Sequence, residues 1–289
     1  MKATAFCPGH ITGFFQPCEH EEPLLTGSRG AGLCVNRGVT TSVTSRPGTG
    51  RIEISIDGRR QDAEVTRSAA ALLLGDELLD ITVDSFLDLP GGAGFGMSAA
   101  GALSTTFALA EILERPPEDA FAAAHLAELK HRTGLGDVAA LTRGGMTFRR
   151  REGLPPYGQV DRLDFTGEIV AAVVGDNMRT ADVLNEAARR GEIVEAGRAC
   201  SRELSMDPTA QSFFRLSREF TDRCGLAGAG VREALDAVKG LGQASMIMLG
   251  NSVFACGDLD AIQERWAFFG PTFRLSIDYI GPRVLVHQV

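Results

Sequence analysis

The amino-acid sequence predicts an α+β protein. Segments with alternating apolar and polar residues dominate the first eighty-odd of its 289 residues, and Ala- and Leu-rich segments with helical character follow as a run. Grouped strands and grouped helices, without strict alternation, are typical of α+β architecture. A chain of this length can bury a large core in one large domain or in two smaller ones.

Composition narrows the class of protein. The chain is 44% hydrophobic and 23% charged, which is ordinary for a globular protein, and its net charge of −8 excludes an extended basic surface for nucleic acid. Its apolar runs are far shorter than the roughly 20 residues of a membrane-spanning helix, and the N-terminus has no signal-peptide core. The sequence therefore predicts a soluble, cytoplasmic protein.

The first half of the chain is predicted to contain most of the strands. Period-two alternation and turn residues predict strands at 38–44, 51–58, 80–87 and 146–150. An Ala/Leu-rich segment predicts a helix at 66–79. Helices at 98–113 and 118–132 are separated by Pro116-Pro117, and a short helix follows Gly136.

The second half mixes both element types. Strands are predicted at 169–174, 244–249, 252–255 and 273–278, and helices at 180–190, 193–203, 209–223, 231–238 and 259–268. The Pro- and Gly-rich stretch 151–158 predicts a boundary between an N-terminal domain of residues 1–155 and a C-terminal domain of residues 156–289.

Cysteine and histidine residues do not indicate a metal centre. The six cysteines are scattered, with no Cys-x-x-Cys pair, so buried thiols are the simplest interpretation. Cys7, His10, Cys18 and His20 are close in sequence, but their spacing matches no strong zinc pattern. Because Gly-Lys-Ser/Thr does not occur, a Walker-type P-loop is excluded.

A glycine-rich segment at residues 90–101, Pro-Gly-Gly-Ala-Gly-Phe-Gly-Met-Ser-Ala-Ala-Gly, separates a predicted strand from an Ala-rich helix. Glycines let the backbone approach a ligand, and N–H groups at a helix N-terminus suit phosphate. Ser98 can cap this helix or offer its hydroxyl to a phosphate-bound Mg²⁺. A plain glycine turn is the simpler alternative. A dinucleotide-binding loop is a weak one, because the segment follows many strands.

This segment resembles the phosphate-binding motif of the GHMP kinase superfamily, Pro-x-Gly-x-Gly-Leu-Gly-Ser-Ser-Ala. Phe95 stands for the leucine and Met97 for the first serine. Cys7-Pro-Gly-His-Ile-Thr-Gly13 resembles the superfamily's N-terminal motif, and residues 243–252 stand where it has a third, glycine-rich motif. The variant residues of all three segments are similar to those of the archaeal pantoate kinase family.

The resemblance implies a two-domain GHMP-kinase-type fold with the ATP site at the domain interface. It implies transfer of the γ-phosphoryl group of ATP to pantoate, giving 4-phosphopantoate for archaeal coenzyme A synthesis. The residues implied to bind ATP belong to the glycine-rich segment: Pro90, Gly92, Ala93, Gly94, Gly96, Met97, Ser98 and Ala99.

Three residues are candidates for catalysis. The resemblance implies that Ser98 and Glu128 hold Mg²⁺ and that Asp137, in Gly134-Leu-Gly-Asp137, orients or deprotonates the attacking hydroxyl. In the alternative interpretation, Glu128 is a solvated helix charge paired with Arg132 at i,i+4, and Asp137 is a helix N-cap.

Four residues are candidates for substrate binding. Arg149 offers a planar guanidinium to a carboxylate, although it also belongs to a run of three arginines. His125 lies one turn before Glu128 and is equally compatible with a core position. Ser28 is in a Gly-rich segment that predicts a flexible loop, and Thr180 is predicted to cap the next helix and to face the cleft.

Other functions stay open on the sequence alone. They are a kinase of the same fold acting on homoserine, shikimate or mevalonate, a catalytically silent nucleotide-binding relative, and an NAD-binding protein. Neither nucleic acid nor membrane is an expected partner. A homodimer is compatible with the sequence.

Overall fold

The computed structural model describes residues 1–175 and 187–288, and it has the predicted mixture of strands and helices. The strands are β1 Lys2–Cys18, β2 Gly27–Pro47, β3 Ile52–Ile56, β4 Arg59–Arg60, β5 Leu79–Leu87, β6 Met146–Arg151, β7 Gln159–Leu163, β8 Glu168–Val173, β9 Gly242–Ile247, β10 Ser252–Gly257, β11 Thr272–Ser276 and β12 Arg283–Gln288. The helices are α1 Glu64–Leu74, α2 Met97–Ile112, α3 Pro117–His131, α4 Asp137–Leu141, α5 Ala187–Met206, α6 Ala210–Cys224, α7 Ala229–Ala237 and α8 Leu259–Trp266.

The strands form two sheets. The larger has the order β12-β1-β2-β5-β3-β4, with β6 paired to the first part of β2 and β7 paired to β6. Its pairs are antiparallel except for β3 and β5, which are parallel. The smaller sheet, β11-β8-β10-β9, is antiparallel throughout. The α+β prediction is confirmed.

Strand β1 is 17 residues long, and the sequence does not predict it. Nearly all its residues from Ala3 to Pro17 are buried, because α2, α5 and α6 all pack on it. A strand covered on both faces has no polar residue at every second position, so the period-two signal is lost. The same burial extends the predicted strand 38–44 in both directions to give β2.

Two helix predictions are wrong in their bounds, and not every strand was predicted. Helix α1 ends at Leu74 and not at residue 79, because Gly75 adopts a positive φ of 58° there. The break predicted at 191–192 does not exist, since α5 is continuous from Ala187 to Met206. Strand β12, at the edge of the larger sheet, was not predicted. Residues 180–186 of the predicted helix 180–190 lie outside the described residues.

The core joins both sheets. One apolar cluster contains residues of β1, β2, α2, α5, α6 and the smaller sheet. Strands β7 and β12 belong to the larger sheet although they lie beyond residue 155, and the two-domain division stays a prediction. Within residues 1–175 and 187–288, no helix has the length and apolar character needed to cross a bilayer.

Candidate active site

A cleft lies where the glycine-rich segment, the N-terminal strand and the turn between α3 and α4 meet. Three further elements complete it: the start of β2, strand β6 and the β9–β10 turn. Its lining residues are Thr12, Phe15, Ser28, Gly92, Gly94, Phe95, Gly96, Met97, Ser98, Ala99, Glu128, Thr133, Gly134, Leu135, Gly136, Asp137, Arg149, Met248 and Leu249.

The glycine-rich segment forms the start of α2 and one wall of the cleft. Gly96 is the N-cap in a left-handed conformation with φ 68°, and no side chain caps this helix. Ser98 therefore does not cap α2. Its Oγ donates a 2.5 Å hydrogen bond to Oε1 of Glu128, across the cleft in α3. The wall thus presents helix N–H groups and a hydroxyl next to a carboxylate.

Glu128 is a buried acid and not a surface charge. Its side chain accepts hydrogen bonds from Ser98 and, at 2.9 Å, from Thr133, and the residue is 2% exposed. Burial raises its pKa to about 7, and the two hydrogen bonds only partly oppose that effect. The pairing with Arg132 considered above does not occur.

The donor set of Ser98 and Glu128 fits Mg²⁺. Both offer hard oxygen atoms at a wall suited to phosphate, and Mg²⁺ takes few protein ligands when phosphates supply the others. In the described part of the chain, no group of three or more His, Cys, Asp or Glu side chains could hold a metal ion by itself.

Asp137 begins α4 and points to the first strand. Its Oδ1 lies 2.6 Å from Nδ1 of His10 and accepts a 3.4 Å hydrogen bond from Oγ1 of Thr12. Burial alone would raise the pKa of Asp137, but the hydrogen bond from His10, together with the positive charge of Arg149, holds it below its usual value. Asp137 is therefore an ionised carboxylate at the floor of the cleft.

Arg149 lies in β6 and is 1% exposed, so it is not part of a solvated run. Its Nε donates a 3.3 Å hydrogen bond to the backbone oxygen of Ser28, and its Nη1 is buried without a hydrogen-bond partner among the described residues. Burial lowers the pKa of Arg149, and the negative charge of Asp137 opposes this effect. Gly136 packs on both side chains: a Cβ there would lie 2.2 Å from Ser28 Oγ.

The structure places the other predicted residues differently. Ser28 is buried within β2 and lines the cleft, so the flexible loop predicted there is wrong. His125 does not line the cleft, and its Nε2 lies 3.3 Å from the backbone oxygen of Pro23 and 3.1 Å from that of Thr26. Pro90 and Ala93 also lie outside the lining. Thr180 is outside the described residues.

The sequence reasoning did not assign a role to several lining residues. These are Thr12 and Phe15 of β1, Thr133 and Leu135 before α4, and Met248 and Leu249 of the β9–β10 turn. His10, which contacts Asp137, was also missed, although its position in the Pro-Gly-His-Ile-Thr-Gly segment was a usable signal. The contact between His10 and Asp137 could not be predicted from the sequence, because 127 residues separate them in the chain.

The chain is similar in sequence to known kinases. The family model of the GHMP kinases N terminal domain matches residues 64–145. A pantoate kinase of Thermococcus kodakarensis is 37% identical over 88% of this chain and 87% of its own length. A pantoate kinase of Methanospirillum hungatei is 33% identical over 98% and 96%, respectively.

Two solved structures have a similar fold. A phosphotransferase related to the CoA biosynthesis pathway superposes with a TM-score of 0.87, at 32% identity over 98% of both chains. A homoserine kinase from Cytophaga hutchinsonii has a TM-score of 0.72 at 18% identity over 98% of this chain and 97% of its own, which shows a common fold only.

A cleft with a glycine-rich wall facing two carboxylates, on this α+β scaffold and with these relatives, defines a small-molecule kinase. The chain belongs to the GHMP kinases and, within them, to the family of the archaeal pantoate kinases.

Proposed function

We propose that this protein transfers the γ-phosphoryl group of ATP to the terminal hydroxyl of pantoate, giving 4-phosphopantoate for coenzyme A synthesis. The observation that carries the proposal is the buried Arg149, which lines the cleft beside Asp137 with its Nη1 unpaired among the described residues. A buried guanidinium is costly unless an anion pairs with it. The carboxylate of pantoate is such an anion, and a guanidinium binds it with two parallel hydrogen bonds.

The apolar part of the cleft supports a branched substrate. Phe15, Leu135 and Met248 line it together with the polar residues. Pantoate carries two methyl groups on the carbon between its carboxylate end and its terminal hydroxyl, so it has apolar surface to bury in the middle of the molecule. Homoserine lacks these methyl groups and carries an ammonium group that Arg149 would repel.

Catalysis is proposed to come from placement and charge. With the phosphates at the N–H groups of the glycine-rich segment, the hydroxyl oxygen bonds to the γ-phosphorus while the bond to the β–γ bridging oxygen breaks and ADP leaves. Asp137 orients the hydroxyl and accepts its proton. Ser98 and Glu128 would hold Mg²⁺, which neutralises phosphate charge when bound.

The alternatives considered from the sequence are not favoured. The curated relatives at more than 30% identity are pantoate kinases, and the mevalonate and homoserine kinases share the fold at much lower identity. Ser98, Glu128 and Asp137 all line one cleft, which argues against a silent nucleotide-binding relative. A cytoplasmic location is supported by six free cysteines and by ATP as co-substrate. A homodimer stays a prediction.

The test is ADP release by the purified protein with Mg·ATP and, separately, pantoate, homoserine, shikimate or mevalonate. Of these four acceptors, we expect only pantoate to be phosphorylated. In Arg149→Met the KM for pantoate should rise by about 10²-fold or more, because the cation is lost while the aliphatic stem is kept. Arg151→Met, two residues along the same strand but exposed, is the matched control. Turnover on another alcohol, or an unchanged KM in Arg149→Met, would contradict the proposal.

A further inference from the structure

His10 connects three parts of the active site. Its backbone N donates a 2.9 Å hydrogen bond to the oxygen of Phe95 in the glycine-rich segment. Its Nδ1 lies 2.6 Å from Oδ1 of Asp137. Its ring lies on the backbone of β2, where a Cβ on Gly32 would be 2.5 Å from Nε2. The imidazole therefore occupies a fixed place between the glycine-rich segment and the carboxylate of Asp137.

The hydrogen bond to Asp137 determines which ring nitrogen carries the proton. An ionised carboxylate only accepts hydrogen bonds, so Nδ1 must be the donor. The ring is 1% exposed, and burial lowers the pKa of His10, which makes it neutral near pH 7. Nε2 then carries a lone pair, and it has no hydrogen-bond partner among the described residues. A neutral imidazole protonated at Nδ1 is thus consistent with the contact to Asp137, with the burial of the ring and with the lack of a donor at Nε2 among the described residues.

The same geometry determines which oxygen of Asp137 is free. The hydrogen bonds of Asp137 within the described residues, from His10 and Thr12, both reach Oδ1. Oδ2 lies on the side of Gly134, in the turn that lines the cleft. Thr12 is itself held, because its backbone oxygen accepts a 3.0 Å hydrogen bond from the N–H of Met248. Because hydrogen bonds hold Oδ1 of Asp137 in place, Oδ2 has a fixed orientation.

We propose that His10 is a positioning residue for the phosphoryl transfer: as a neutral imidazole it holds Oδ1 of Asp137 so that Oδ2 faces the hydroxyl of the substrate. This inference rests on the proposed kinase function. It adds a residue that touches neither substrate nor nucleotide and acts only through Asp137. Its loss should therefore lower kcat and leave binding of both substrates unchanged, since misplacement of a catalytic group by about 1 Å can cost 10²-fold.

The experiment compares two substitutions that differ in one hydrogen bond. The side-chain amide of Asn can occupy the position of Nδ1 and donate, so His10→Asn should keep kcat within about fivefold of the wild type. His10→Phe fills the ring's space and cannot donate, so kcat should fall by about 10²-fold with unchanged KM values. His287→Phe, on the distant edge strand β12, is the matched control.

A purely structural role would lower thermal stability and affect both variants alike. The inference is therefore overturned if His10→Phe keeps kcat near that of the wild type, or if His10→Asn is no better than His10→Phe. Absence of turnover by the wild-type protein with pantoate would instead count against the proposed function.

A second measurement does not depend on turnover. In ¹⁵N NMR of the wild-type protein, the signals lost in His10→Asn should be those of a neutral imidazole protonated at Nδ1, and Asp137→Ala should remove that preference. A ring protonated at Nε2 only, or a tautomer unaffected by Asp137→Ala, would overturn the inference.

Discussion

Oγ of Ser98 and Oε1 of Glu128 lie 2.5 Å apart, although they belong to different helices and 30 residues separate them in the chain. This contact joins the glycine-rich wall of the cleft to a buried acid. The hydroxyls of Ser98 and Thr133 both donate to Oε1, so this buried carboxylate oxygen is hydrogen-bonded. Two oxygen donors are thus held together where the proposed nucleotide phosphates lie.

This pair predicts a Mg²⁺ dependence. In Ser98→Ala and in Glu128→Gln, the concentration of Mg²⁺ needed for half-maximal turnover should rise at least tenfold, because one oxygen ligand is lost or neutralised. The measurement is ADP release titrated with Mg²⁺ at saturating ATP. Ser201→Ala, in α5, is the control, and an unchanged Mg²⁺ requirement in both site variants would exclude them as ligands.

Stability should depend on the protonation of Glu128. Its pKa in the folded protein is about 7, above its value in the unfolded chain, so the folded state binds the proton more tightly. This contribution is fully present below the unfolded pKa and is lost as pH rises through 7. Relative to Glu128→Gln, the wild type should gain on the order of 2–3 kcal/mol on going from pH 8 to pH 5.

The measurement is urea unfolding in EDTA at both pH values. Groups that titrate in both proteins cancel in the difference. An equal pH dependence in wild type and Glu128→Gln would show that Glu128 is ionised throughout this range.

Asp137→Asn should lower kcat by about 10²–10⁴-fold, because the amide keeps the shape of the carboxylate but cannot accept the hydroxyl proton. Binding of ATP, measured by calorimetry, should stay within a factor of about three, since the proposed role of Asp137 is toward the hydroxyl of the acceptor and not toward ATP. Asp236→Asn, on the exposed face of α7, should behave like the wild type. A fully active Asp137→Asn would remove this residue from the chemistry.

Substitution of Gly136 should weaken pantoate binding although every charged residue of the cleft is kept. A Cβ at this position would lie 2.2 Å from Oγ of Ser28 and 2.7 Å from Nε of Arg149, and the cation would be displaced. Gly136→Ala should raise the KM for pantoate by about tenfold or more, with the KM for ATP unchanged. Gly191→Ala, where a Cβ meets no atom within 4 Å, is the control.

The apolar lining residues Phe15, Leu135 and Met248 predict that the enzyme prefers an acid with two methyl groups over one without them. An analogue without the two methyl groups, 2,4-dihydroxybutanoate, should have a kcat/KM at least tenfold below that of pantoate, since one missing methylene is worth about 10–200-fold in a closed pocket. In Met248→Ala the preference for pantoate over this analogue, measured as the ratio of the two kcat/KM values, should be smaller than in the wild type. Equal kcat/KM values for both acids in the wild type would show that these lining residues do not contact the methyl groups.

The sequence was sufficient to predict those elements whose conformation depends on neighbouring residues in the chain. The glycine-rich segment, its position before α2 and the turn that delivers Asp137 to α4 were all predictable, because glycine conformation and helix starts depend on neighbouring residues. The alternating strand around Ile54 was also predictable, because one of its faces is solvated. The resemblance of the three motifs is sufficient to identify the family from the sequence.

Tertiary structure decided the rest. Strand β1 has no alternating pattern because helices cover both of its faces, and it carries His10, Thr12 and Phe15 into the cleft. The state of each charged group also depends on distant residues: Glu128 has a raised pKa because it is buried, and Arg149 lacks solvent because β2 and the α3–α4 turn cover it. Sequence determines which residue types stand near a motif, whereas burial and pairing across more than a hundred residues determine their charge and orientation.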